Sequence, residues 1–114
     1  RDIKRFVRPH MLRVYPQLRL ISAIPNGGAR DAITGAQLKA EGVKPGVPDL
    51  FLPVARGEFH GLFIEMKAGQ NGASEEQEKW HADLRAERFR VEVCYSWMEA
   101  SKVLEAYLAK EQTR

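Results

Sequence analysis

The sequence predicts an α/β fold: a mixed central sheet flanked by helices, in a single small domain. Three observations carry that prediction. Short apolar runs bounded by turn residues, Leu50-Phe51-Leu52, Gly61-Leu62-Phe63-Ile64 and Val91-Glu92-Val93-Cys94, have the length and pattern of strands. The stretches around them repeat apolar residues at helical spacing. The chain of 114 residues, 44% hydrophobic, fits one domain and can bury about two thirds of its unfolded surface without metal or disulfide staples.

Taken in order, Ile3, Phe6, Val7, His10, Met11 and Val14 predict an amphipathic helix from about residue 2 to 15, stopped before Pro16. Residues 18–24 read as a strand. Pro25-Asn26-Gly27-Gly28 reads as a turn, residues 31–41 as a short helix ended by Gly42, and Lys44-Pro45-Gly46 as a second turn. Strands are expected at 49–54 and 60–67, joined by a short loop at Gly57. After the loop 68–73, Ser74 and Gln77 form a capping box that opens a helix running to about residue 88. On that helix Trp80 and Leu84 share an inner face, and His81 could reach DNA but reads first as plain surface. Residues 89–95 alternate as a half-buried strand. A second box, Ser96 with Glu99, opens a last helix whose apolar face is Ala100, Val103, Leu104, Tyr107 and Leu108.

Lysine and arginine number 18 against 15 acidic residues, a net charge of +3. That is a mild bias toward polyanions. The single cysteine, Cys94, excludes an internal disulfide and any multi-cysteine zinc site, and reads as core rather than nucleophile. His10, His60 and His81 are scattered. A reducing, cytoplasmic setting is the simplest expectation. No run approaches the ~18 apolar residues of a membrane span, no leader is visible, and the chain opens on Arg1, as an excerpt would. No phosphate-binding Gly-Lys-Ser/Thr loop is present, so a nucleotide cofactor is not implied.

The chemistry concentrates at two places. Pro48-Asp49 opens one apolar run, and sixteen residues on, Glu65-Met66-Lys67 closes another. Side chains alternate along a strand, so Glu65 and Lys67 share a face, about 7 Å apart. If the two strands pair through the turn at Arg56-Gly57, Asp49 reaches the same end of the sheet. Two carboxylates beside a lysine supply what phosphodiester hydrolysis asks of a protein: oxygen ligands for Mg²⁺ or Mn²⁺ and a cationic group near the attacking water. Each residue also has a plainer account. Asp49 suits a turn after proline. Glu65 and Lys67 could be the solvated side of an edge strand, although apolar Leu62, Phe63 and Ile64 cover both faces just before them. Gln77 is explained by the capping box alone. Asn26, Gly27, Gly28 and Arg30 make a turn, yet glycines also let a backbone approach a phosphate, and Arg30 could add a bidentate contact.

Four blocks in this order, Ile24-Pro25-Asn26-Gly27-Gly28-Ala29-Arg30, Leu38-Lys39-Ala40-Glu41-Gly42-Val43, Gly46-Val47-Pro48-Asp49-Leu50 with Glu65-Met66-Lys67, and Ser74-Glu75-Glu76-Gln77, resemble the VRR-NUC (virus-type replication-repair nuclease) domain of the PD-(D/E)xK superfamily. The resemblance spans nearly the whole chain, so residues 1–114 are expected to form one such domain with the restriction-endonuclease-like fold. It implies a metal-dependent DNA endonuclease. In that reading Asp49 and Glu65 ligate Mg²⁺ or Mn²⁺ with the Met66 carbonyl, Lys67 orients the water and stabilises phosphate charge, and Gln77 faces the site. Stand-alone members are similar to Holliday-junction resolvases, which act on four-way DNA as homodimers. A flap or single-strand nuclease, a catalytically weak DNA-binding module of the same fold, and a plain α/β interaction domain are the alternatives. The family's first-helix glutamate would fall just before Arg1, with Asp2 a poor substitute.

Overall fold

The computed structural model describes residues 7–25 and 44–112. The expected helix at 31–41, and the candidate DNA-contacting residues Asn26, Gly27, Gly28 and Arg30, lie outside the described residues. Helix α1 is short, Pro9–Val14, with Arg8 as its N-cap. Residues 2–6 of the helix expected from about residue 2 to 15 lie outside the described residues, residues 7 and 8 are not helical, and that expectation ran straight through Pro9. Proline has no N–H and clashes with the preceding turn, so it is accepted at the first helical position and not inside. A 3₁₀ turn, Pro16–Leu20, replaces the start of the expected strand for the same reason. Only Ser22–Ala23 remains as strand β1.

Strands β2 (Leu50–Leu52), β3 (Leu62–Met66) and β4 (Arg90–Cys94) follow, with helix α2 (Glu75–Ala86) between the last two and α3 (Trp97–Leu108) after them. The sheet order is β1-β2-β3-β4, with the first two pairings antiparallel and β3–β4 parallel. This is the expected mixed sheet, with β1 cut to two residues and β2, β3 and β4 each trimmed by one or two residues at either end.

The two faces of the sheet differ in chemistry. Leu50, Leu52, Leu62, Ile64 and Cys94 point to one side and pack with Ala100, Leu104, Tyr107 and Leu108 of α3, with Met11 and Leu18 completing that core. The Tyr107 hydroxyl donates to the Val54 carbonyl at 2.7 Å, and buried Arg56 donates to the Leu108 carbonyl at 3.3 Å, tying the end of α3 to the chain leaving β2. Burial pushes the Cys94 thiol up to about 12. It is an inert core residue at neutral pH. On the other side, Phe51 stacks on Phe63 with centroids 4.3 Å apart, and Phe89 meets Phe63 edge-on at 5.3 Å. Alternation carries Glu65 onto this second face, beneath α2.

Both caps form, in different ways. Ser74 and Gln77 close a full box: Gln77 N–H donates to Ser74 Oγ at 3.2 Å and Ser74 N–H to Gln77 Oε1 at 2.9 Å. At α3 the Ser96 hydroxyl accepts from Glu99 N–H at 3.0 Å, but the Glu99 carboxylate accepts from Tyr95 N–H rather than from Ser96. No helix among the described residues is long and apolar enough to cross a membrane.

The approach to Asp49 is fixed by Gly46, whose φ is +91°. A Cβ there would stand 2.9 Å from both the Glu76 carbonyl carbon and Trp80 Cδ1. Trp80, half-buried rather than core, donates its indole N–H to the Pro45 carbonyl at 3.1 Å. The turn therefore lies directly against the first half of α2. Gly46→Ala is expected to cost at least about 1–2 kcal/mol, from the disfavoured backbone alone, seen as a lower urea midpoint with unchanged slope.

Candidate active site

Asp49 is pinned on both sides. Its carbonyl accepts from Ile24 N–H at 2.7 Å beyond β1, and its Oδ2 accepts from Met66 N–H at 2.7 Å across to β3. The β2–β3 register sets Leu50 against Ile64 and Phe51 against Phe63. One further step places Asp49 against Glu65, on the α2 face. Both carboxyl side chains are buried, Asp49 at 1% and Glu65 at 2% exposure. Carboxylates are almost never this buried unless something compensates the charge.

Lys67 follows β3 directly, and its N–H continues the ladder to the Cys94 carbonyl at 2.9 Å. Its ammonium, half-buried, donates to Gln77 Oε1. Gln77 thus holds two donors on one oxygen, the Ser74 amide and the Lys67 ammonium. The two sequence readings of this residue are not exclusive: the capping box fixes the amide, and the fixed amide restrains the lysine.

One member was not legible as such. His81, read from sequence as surface, is 4% exposed and its Nε2 lies 3.9 Å from Glu65 Oε1. Burial first, then the positive charges of Arg85 and Lys67, hold its imidazole below the ordinary histidine value, with Glu78 opposing. The signal available was spacing. His81 lies four residues after Gln77, on the same side of α2.

Asp49, Met66, Glu65, Lys67 and Gln77 are therefore brought to one end of the sheet, where α2 begins. The donor set suits a hard dication, since carboxylate oxygens are the usual protein share of a Mg²⁺ or Mn²⁺ shell that otherwise keeps water. Among the described residues no group of three or more His, Cys, Asp or Glu stands ready to hold a metal. Two carboxylates are what the described part contributes.

The sequence matches the VRR-NUC domain model over residues 10–98. A solved structure named "VRR_NUC domain protein" superposes with a TM-score of 0.70 at 29% identity, covering 84% of this chain and 73% of that one. Among curated proteins none matches. With the matched span taking in Asp49, Glu65, Lys67 and Gln77, the chain belongs to the VRR-NUC family, and its function is of nuclease type.

Proposed function

We propose that this domain is a Mg²⁺- or Mn²⁺-dependent DNA endonuclease that resolves four-way junctions as a homodimer. The observation that carries the nuclease reading is the convergence of buried Asp49 and Glu65 with a lysine whose ammonium is held by Gln77. Asp49 and Glu65, with the Met66 carbonyl, would hold the cation. When bound, it supplies Lewis-acid polarisation of the phosphate and a more acidic attacking water.

The remaining work belongs to side chains. An ammonium has three donors and no acceptor. With one N–H given to Gln77, Lys67 has two left for a phosphate oxygen and the incoming water, in an orientation set by α2. Water adds in line at phosphorus, the bond to the leaving oxygen breaks, and one product carries the phosphate while the other carries a hydroxyl. Charge that develops on the phosphoryl oxygens meets the Lys67 ammonium. Asn26, Gly27, Gly28 and Arg30 would contact the DNA backbone, the glycines by letting the chain approach a phosphate and the arginine by a bidentate contact.

The same reading assigns Gln77 two separable effects. Gln77→Ala is expected to cost about 1 kcal/mol of stability through the lost box and to reduce cleavage further by releasing Lys67. Gln77→Glu keeps an acceptor for both donors, so its melting temperature is expected to match or exceed wild type. Its cleavage is expected to fall, because the lysine is then paired with a carboxylate. Wild-type cleavage by both variants would leave Gln77 a cap and nothing more.

The dimer follows from the substrate: paired nicks in a junction need two sites in fixed relation. Most of the apolar face of α3 is used in the core, so the contact would involve what stays exposed near α1 and the start of α3, namely Leu12, Val14 and Met98. A cytoplasmic setting remains part of the proposal, suggested by a lone, buried free cysteine. Four-way, flap and single-stranded DNA assayed together, with light scattering on the protein alone and with junction, test the assignment. Symmetric junction nicks from a dimer are the expected result. A monomer that cuts flaps better than junctions would replace resolution with flap cleavage and leave the nuclease chemistry in place.

A further inference from the structure

His81 has no place in the scheme above, yet it carries an unsatisfied polar atom inside the site. Its side chain is almost fully buried, and Nε2 has no hydrogen-bond partner among the described residues. Leaving a buried donor or acceptor unmade costs about 1–3 kcal/mol. A leucine on the same face of α2 would avoid that cost, so the position has a use for the nitrogen. The group nearest to it by charge is the Glu65 carboxylate, with Oε1 at 3.9 Å. That is roughly 1 Å beyond a hydrogen bond, a gap that small ring and carboxylate rotations close. Hydrogen bonds of this kind are often long until the site is filled.

We propose that His81 is a positioning residue for Glu65: its Nε2–H donates to Oε1 and fixes the rotation of the carboxylate. The inference rests on Glu65 being a metal ligand, as assigned above. Ligating carboxylates are commonly oriented by such outer hydrogen bonds, and losing one costs metal affinity without removing a ligand. In this assignment His81 acts through Glu65, whose Oε1 lies 3.9 Å away, and not as a ligand itself. Its place one turn beyond Gln77 gives α2 two parallel tasks. Gln77 sets the lysine of the Glu-x-Lys segment, and His81 sets its glutamate.

Two measurements test this. In metal-free wild-type protein with ¹⁵N-labelled histidine, the ring nitrogen shifts report the tautomer, and the proton is expected on Nε2. A proton on Nδ1, with the Nε2 lone pair facing the carboxylate, would overturn the proposal. Calorimetric titration with Mn²⁺ alone then compares wild type, His81→Leu and His81→Gln. His81→Leu is expected to melt no lower than wild type while binding Mn²⁺ about tenfold more weakly, and His81→Gln, which keeps a donor, to recover most of that loss. If the leucine variant folds and binds Mn²⁺ like wild type, His81 is a packing residue and the metal assignment is untouched. If wild type itself binds no Mn²⁺, the metal assignment fails and this inference with it. Should the leucine variant not fold, the tautomer in wild type still decides.

Discussion

Asp49→Asn and Glu65→Gln are each expected to reduce DNA cleavage at least a thousandfold, equivalent to about 4 kcal/mol of transition-state stabilisation. Each should also weaken Mn²⁺ binding measured by calorimetry. A neutral amide is a poor ligand for a hard cation, and both carboxyl groups are buried where water offers little substitute. The folded state should survive: in Asp49→Asn the side-chain carbonyl can still accept from Met66 N–H. Some gain in stability is expected where two nearby negative charges become one. Undiminished Mn²⁺ affinity in both variants would take these residues out of the metal site.

The second large effect is at Lys67. Lys67→Ala should keep the fold and most Mn²⁺ affinity while lowering cleavage by a hundredfold or more, about 2.7 kcal/mol. Its partner Gln77 retains the Ser74 amide, so the start of α2 stays capped. In the proposed mechanism the ammonium acts on phosphate and water, outside the ligand shell. A matching melting curve with slow cleavage at saturating metal is the expected signature. Cleavage at the wild-type rate would end the role assigned to the Glu-x-Lys segment.

Strand periodicity and one capping box were enough to foresee that most of these residues converge. Leu62, Phe63 and Ile64 marked β3, alternation put Glu65 and Lys67 on a common face, and the β2–β3 pairing brought Asp49 to meet them. Ser74 and Gln77 marked the start of α2 to the residue. These are local signals, and local physics decides them. What failed were features set by backbone chemistry or by tertiary contacts. Apolar spacing from Ile3 to Val14 hid the veto of Pro9, and the run beginning at Leu18 looked like a strand although Pro16 starts a 3₁₀ turn and only two residues find a partner in β2. Glu99 satisfied a different amide from the one the box pattern assigns. His81 looked like surface because a polar residue on a helix usually is. Its burial depends on Glu65 lying beneath α2, which no stretch of sequence around residue 81 records. The Gln77–Lys67 contact is of the same kind, joining two segments whose approach only the packed sheet and helix define.

The central claim is that Asp49, Glu65 and Lys67 form one metal-dependent phosphodiesterase site. It is tested most directly by following cleavage of an end-labelled DNA junction by chelator-treated protein, with Mn²⁺ or Mg²⁺ added back, for wild type and Glu65→Gln side by side. The expected result is intact DNA without metal, discrete cleavage by wild type once metal is restored, and no cleavage by Glu65→Gln at the same metal concentration. Equal cleavage by both proteins, or cleavage that persists in excess chelator, would contradict the account.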